Sequence, residues 1–349
     1  MADPREGKGS VPTGTEPLPA AAGVALADPA GAASRGSLRR RRDLWAKFGR
    51  YGILGLFVLM VVIFSVLKPD NFPTSDNVRA ILQQAAILAV IGAGLTVVLV
   101  IREFDLSFDA NAAISGAIAV QVMVNLGWPT ALGVLVGIAV GAMVGVANGT
   151  IVAYFKAPAF IGTLAVAAVA SGIESMITDD KTVFGVPNSY LGIATSEVLG
   201  VPLFIWISIG IVLIVSGLLK HTVFGRHAHA VGSNPVAAAA TGIHTARVRW
   251  AAFVVLGALA GLAGVLITAQ AGGSAPTNSA NLLLPVYTAA FLGASALGRG
   301  QFTSIATYFG VIFIGTLQTG LTMLEQPAWI ASVITGVVLV VAVVIARRQ

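Results

Sequence analysis

The sequence predicts an all-α polytopic membrane protein, and three observations carry that expectation. Mean hydropathy is +0.87, only 10% of the 349 residues are charged against 56% hydrophobic, and apolar runs of bilayer-crossing length recur from residue 51 onward. A bilayer core of about 30 Å needs about 20 mostly apolar residues per helix. Such runs lie near Tyr51–Leu67, Val78–Ile101, Phe108–Val124, Thr130–Tyr154, Phe160–Ile177, Leu203–Leu219, Trp250–Ala269, Leu283–Leu297, Phe302–Leu321 and Trp329–Ala346, which makes ten spans.

Taken in chain order, residues 1–43 are rich in Gly, Ala, Pro and Ser, lack apolar periodicity and close on Arg39-Arg40-Arg41-Arg42, the pattern of a disordered tail with a cationic anchor. The rest, 44–349, reads as one transmembrane domain. Its first span leads into Lys68-Pro69-Asp70-Asn71 without a small-residue cleavage site, so it should stay in the mature chain. After the second span, Arg102, Glu103, Asp105, Ser107 and Asp109 interrupt apolar sequence together. The third and eighth spans are short or bounded by polar residues, as broken or re-entrant segments buried in a bundle would be.

The fourth span carries Gly133, Gly137, Gly141, Gly145 and Gly149, a smooth stripe repeating every fourth residue. Small residues on one face let helix backbones approach closely in lipid, so this span should be a central packing element, with Gly257 and Gly261 doing the same in the seventh. Intramembrane polar residues are few, and charge at depth is costly unless it faces water, a partner or a solute. Asp105, Ser107, Asn148, Thr163, Glu174, Gln270 and Gln318 are therefore candidate lining of a polar pathway, although each also has a purely structural reading.

The loop 221–249 contains a capped two-turn helix within Val231–Ile243. Asn234 is a good N-cap, Pro235 suits the first helical position, the alanines that follow have the highest helix propensity, and Gly242 supplies a left-handed stop. Such a helix in a membrane protein's main cationic loop points to a docking partner; the plainer reading is a connector. Its candidate docking residues are Gly232, Asn234, Pro235, Ala237, Ala238, Thr241 and Gly242.

Lys and Arg fall almost entirely on one side once ten spans are drawn, which puts both termini and this loop in the cytoplasm; only Lys68, Arg79 and Lys181 face outward. The net charge of +6 is what such flanks need, and it does not point to nucleic acid. With no cysteine there is neither a disulfide nor a thiolate metal site, and His221, His227 and His229 sit in a basic loop without a neighbouring carboxylate, so no metal or cofactor is expected.

Several motifs in order give the chain a likeness. They are Phe104-Asp105-Leu106-Ser107, Asn148-Gly149, Pro158-Ala159-Phe160-Ile161-Gly162-Thr163-Leu164, Val223-Phe224-Gly225-Arg226, the Gly232-to-Ile243 loop, Gly298-Arg299-Gly300 and Gly315-to-Leu321. From about Val78 to its end the chain resembles the permease subunits of bacterial ABC importers of the ribose/monosaccharide family, whose wider relatives carry branched-chain amino acids. It departs from them at Arg102-Glu103, where two glycines are usual, and at Asp109, where a glycine is usual.

The resemblance implies a translocating subunit in the bacterial inner membrane that pairs with a second permease, docks two cytoplasmic ATPases through the capped helix, and receives a sugar from a periplasmic or lipid-anchored binding protein. ATP and Mg would then belong to the ATPase. No lysine here sits in a Gly-x-x-x-x-Gly-Lys-Ser/Thr context, so this chain should not be an enzyme. The alternatives are an ion-coupled secondary transporter relying on Glu174, Asp105 or Asp109, and an ABC permease for a nucleoside or branched-chain amino acid.

Overall fold

All ten apolar runs form helices. The computed structural model describes residues 51–276, 281–298 and 300–348, so the expected cationic tail and Arg299 lie outside the described residues. In chain order the helices are α1 Tyr51–Leu67, α2 Ser75–Val100, α3 Phe108–Val124, α4 Thr130–Gly149 with a π-helical extension Thr150–Tyr154, α5 Ala159–Thr178, α6 Asn188–Thr195, α7 Leu203–His221, α8 Val223–Ser233, α9 Pro235–Ala240, α10 Thr245–Ala271, α11 Leu283–Ala296, α12 Ser304–Met323 and α13 Ala328–Arg348. Among the described residues seven helices are long and apolar enough to cross a membrane, namely α2, α4 with its extension, α5, α7, α10, α12 and α13; α1, α3 and α11 are shorter.

Helices α2 and α10 form the interior, while α4, α5 and α13 bury far less of themselves. Helix α4 buries six residues, the five stripe glycines and Asn148. The stripe is a close contact on a helix that is otherwise little buried, where the sequence suggested a central one. A Cβ at Gly141 would stand 2.5 Å from the Gly257 carbonyl oxygen and 2.6 Å from Gly261 Cα, one at Gly137 would stand 2.5 Å from Val265 Cγ2, and Gly145 lies against the Phe253 carbonyl. The two backbones therefore touch with no side chain between them. Asn111 of α3 fastens this crossing from the side, its Nδ2 donating to the carbonyls of Gly141 (3.1 Å) and Gly257 (3.3 Å).

Helices α3 and α11 begin inside the bundle. Asn111, one turn into α3, bonds midway along α4 and α10, and the backbone of Asn281–Leu283 at the start of α11 lies against Asp109. The stretch 101–107 is therefore non-helical and leads inward. Irregular backbone at depth survives only where protein groups satisfy it.

The end of the bundle away from α9 is capped by two antiparallel pairs, β1 Val183–Phe184 with β4 Gly273–Ser274 and β2 Glu197–Val198 with β3 Val201–Pro202. Leu199 (φ 56°) and Gly200 (φ 72°) make the two-residue turn between β2 and β3, the left-handed pair that suits strand twist. Tyr190 of α6 is buried against α10, its hydroxyl 2.8 Å from the Val265 carbonyl oxygen and 2.7 Å from Thr268 Oγ1. Burial raises its pKa well above the ordinary phenol value.

Candidate functional site

The break between α2 and α3 is held by side chains that satisfy successive amides. Arg102 turns the chain at φ 60°. The Asp105 amide donates to Tyr287 Oη (3.0 Å), which in turn donates to the Asp105 carbonyl (2.8 Å). The Leu106 amide donates to Thr163 Oγ1 (3.0 Å), and the Ser107 amide to Asp105 Oδ1 (2.6 Å) in an Asx turn. Ser107 Oγ also donates to Asp105 Oδ1 (2.7 Å), while Asn148 Nδ2 reaches Asp105 Oδ2 (3.2 Å) and Ser107 Oγ (2.5 Å). Asp105, Ser107 and Asn148 are at most 2% exposed.

Four of the seven candidate pathway residues thus converge, Asp105, Ser107, Asn148 and Thr163, but they converge as a closed lock. None of them lines any of the three cavities beside α1, α11 and the start of α10. Glu174 is buried elsewhere on α5, and Gln270 is exposed near the end of α10. The charges of the Arg102–Asp109 stretch also part company. Arg102 is exposed, Glu103 forms an ion pair with Arg249 of α10, and Asp109 turns toward α11. Gln318 joins Asp109 in a cavity of about 280 Å³ with Asn281, Ser332 and Thr335.

Sequence reasoning missed Tyr287, Asn111, the Glu103–Arg249 pair and the α13 hydroxyls. Tyr287 and Asn111 carried a usable signal, each being a polar tip within a short apolar helix.

The capped helix is α9. Asn234 Oδ1 accepts from the amides of Val236 and Ala237, both at 3.0 Å, Pro235 is its first residue, and Gly242 follows at φ +86°. Val231–Ser233, which precede the cap, end a separate helix α8, which Thr222 caps through its 3.2 Å bond from the Gly225 amide. Two grouped docking residues face inward. Ala238 is buried, and at Gly232 a Cβ would meet the Val100 carbonyl, so both anchor the loop to its own chain. The outward face belongs to Val236, which is 78% exposed, with Ala237, Thr241 and Gly242. Gly232 thereby presses the loop onto the end of α2, two residues before the Arg102 turn.

Residues 77–343 match the family described as branched-chain amino acid transport system / permease component. This chain belongs to that permease family. The permease is 32% identical over 290 residues to the ribose import permease protein of Haemophilus influenzae, covering 82% of this chain and 89% of the relative. It is 33% identical over 298 residues to the ribose import permease protein of Bacillus subtilis (85% and 92%) and 29% identical over 303 residues to the D-allose transport system permease protein of Escherichia coli (87% and 92%). No solved structure matches it. With its apolar helices, family membership makes the permease a multi-pass protein of the bacterial inner membrane.

Proposed function

We propose that the permease is the translocating subunit of an ATP-driven importer that moves a sugar into the cytoplasm. Relatives named for ribose, D-allose and L-arabinose support that cargo, and family membership favours it over an ion-coupled carrier. The observation that carries the coupling half of the proposal is α9: a fully capped helix seated on its own chain through Ala238, next to the α8 end that Gly232 packs against α2, with an outward face centred on Val236. A cytoplasmic ATPase would dock on that face and hold ATP and Mg itself. Its closure would push the end of α2, and the rigidly packed helices would then alternate access between the two sides. A second permease, most simply another copy, and an external solute-binding protein complete the assembly.

The charge pattern supports ten crossing segments with both termini cytoplasmic, α1, α3 and α11 being the shorter ones. Cysteine labelling tests this in a naturally cysteine-free chain. Ser233→Cys should react only from the cytoplasmic side and Ser189→Cys only from outside; labelling of Ser233→Cys from outside would overturn the orientation.

Coupling is tested by Val236→Glu. Unfolding should change by less than about 0.5 kcal/mol, as for other exposed substitutions, while ATP-driven uptake falls roughly tenfold or more, as for a central interface residue. Ala238→Glu should instead destabilise the permease itself. Normal uptake by Val236→Glu would return α9 to a simple connector.

A further inference from the structure

The cavity at the start of α11 has a chemistry that the proposed function does not yet use. Asp109 lines it from α3, Gln318 from α12, Ser332 and Thr335 from α13, and Asn281 from the segment before α11. One carboxylate oxygen of Asp109, Oδ1, is buried and makes no hydrogen bond among the described residues. Ser332 and Thr335 direct their hydroxyl protons to the helix carbonyls of Ala328 (3.3 Å) and Ala331 (2.7 Å), which leaves their lone pairs free. The lining therefore sets these acceptors beside the amide donors of Asn281 and Gln318, which suits a ligand whose groups both donate and accept.

Charge narrows the ligand class. The backbone N–H groups of Asn281, Leu282 and Leu283 lie against the Asp109 carboxylate at the positive end of α11, which offsets its charge from the protein side. A cationic ligand would therefore gain little there, whereas hydroxyl donors suit the Asp109 carboxylate and the two hydroxyl oxygens. At about 280 Å³ the space lies just below the usual range of ligand sites, about 300 to 1,000 Å³, which limits it to a small ligand.

We infer that the cavity between Asp109, Gln318, Ser332 and Thr335 is a transit site for a single-ring polyol, in which Asp109 and the α13 hydroxyls accept hydrogen bonds from the sugar's hydroxyl groups. The inference rests on the importer reading and adds the site at which the cargo is held.

The test is saturation-transfer NMR on the full-length permease in nanodiscs, with D-ribose, D-allose and L-arabinose as probes and L-lysine as a cationic control. At least one sugar should receive saturation from the wild type, and apparent affinity should fall about tenfold in both Asp109→Gly and Thr335→Val, the loss expected for one strong hydrogen bond. Thermal unfolding of each variant establishes that it is folded, and Thr335→Val approaches the cavity from a second helix should Asp109→Gly misfold. Equal transfer to wild type and both variants, no sugar signal from the wild type, or a preference for L-lysine would overturn the site. ATP-driven uptake by the complete transporter separates the two proposals. Unchanged sugar uptake in Asp109→Gly discards the cavity and leaves the importer standing, whereas sugar binding by the permease with no sugar uptake by the wild-type transporter discards the cargo and leaves the site.

Discussion

Gly141→Val is expected to leave little folded protein. A Cβ alone would lie 2.5 Å from the Gly257 carbonyl oxygen and 2.6 Å from Gly261 Cα, both backbone atoms that no rotamer change can move aside. Relief requires α4 and α10 to separate, which would also pull Gly141 and Gly257 away from the Asn111 amide that bonds both. Overpacking usually costs about 1–3 kcal/mol, and a clash of backbone with backbone should reach about 3 kcal/mol or more. Gly172 on α5 is the control, since nothing lies within 4 Å of a Cβ built there. Gly172→Ala should hold or raise stability by about 0.5–1 kcal/mol, the ordinary gain of replacing a helical glycine. Thermal unfolding and size-exclusion profiles in detergent make the comparison. Equal stability of Gly141→Val and Gly172→Val would mean that the stripe is not a close contact.

Asp105→Ala should be the second severe change. It removes the acceptor for the Ser107 amide, the Ser107 hydroxyl and Asn148 Nδ2 in a place that water barely reaches. Each stranded donor costs about 1–3 kcal/mol. The hydroxyl can turn elsewhere and Asn148 keeps Ser107 Oγ, so the expected loss is about 3 kcal/mol, below the simple sum. Asp105→Asn keeps an acceptor oxygen for the Asx turn and should lose much less. An Asp105→Ala, Asn148→Ala double-mutant cycle isolates the shared term, and a coupling near zero would show that the two do not act as one network. Wild-type stability of Asp105→Ala would mean that the turn is solvated.

The helices were legible because a bilayer sets the length of an apolar run, and even the shortness of α3 and α11 pointed to segments that break inside the bundle. The α9 caps were legible because Asn234, Pro235 and Gly242 act within a few residues of one another. Helix α8 was not, although Gly225, Ala228 and Val231, three of its four buried residues and spaced three apart, hold a helical signal within a loop too polar to draw attention. The contacts of the candidate site were illegible for another reason. Tyr287 lies 182 residues from Asp105 and Arg249 lies 146 from Glu103, and nothing local in the sequence ties such positions together. Glu174 and Gln270 were chosen for polarity alone, which does not reveal that one is buried on α5 and the other exposed near the end of α10.

The distance from Asp105 to Tyr287 also bears on how the protein is made. Ribosomes add about 5–20 residues per second, so the phenol that satisfies the Asp105 amide emerges roughly 10–35 s after the amide itself. Thr163, partner to the Leu106 amide, comes only 57 residues later. During that interval the nascent α2–α3 hairpin carries a half-satisfied turn, which a translocon or a water-lined vestibule must shelter. A chain truncated before α11 never receives its tyrosine. Such fragments should be handed to membrane proteases instead of accumulating beside the finished bundle.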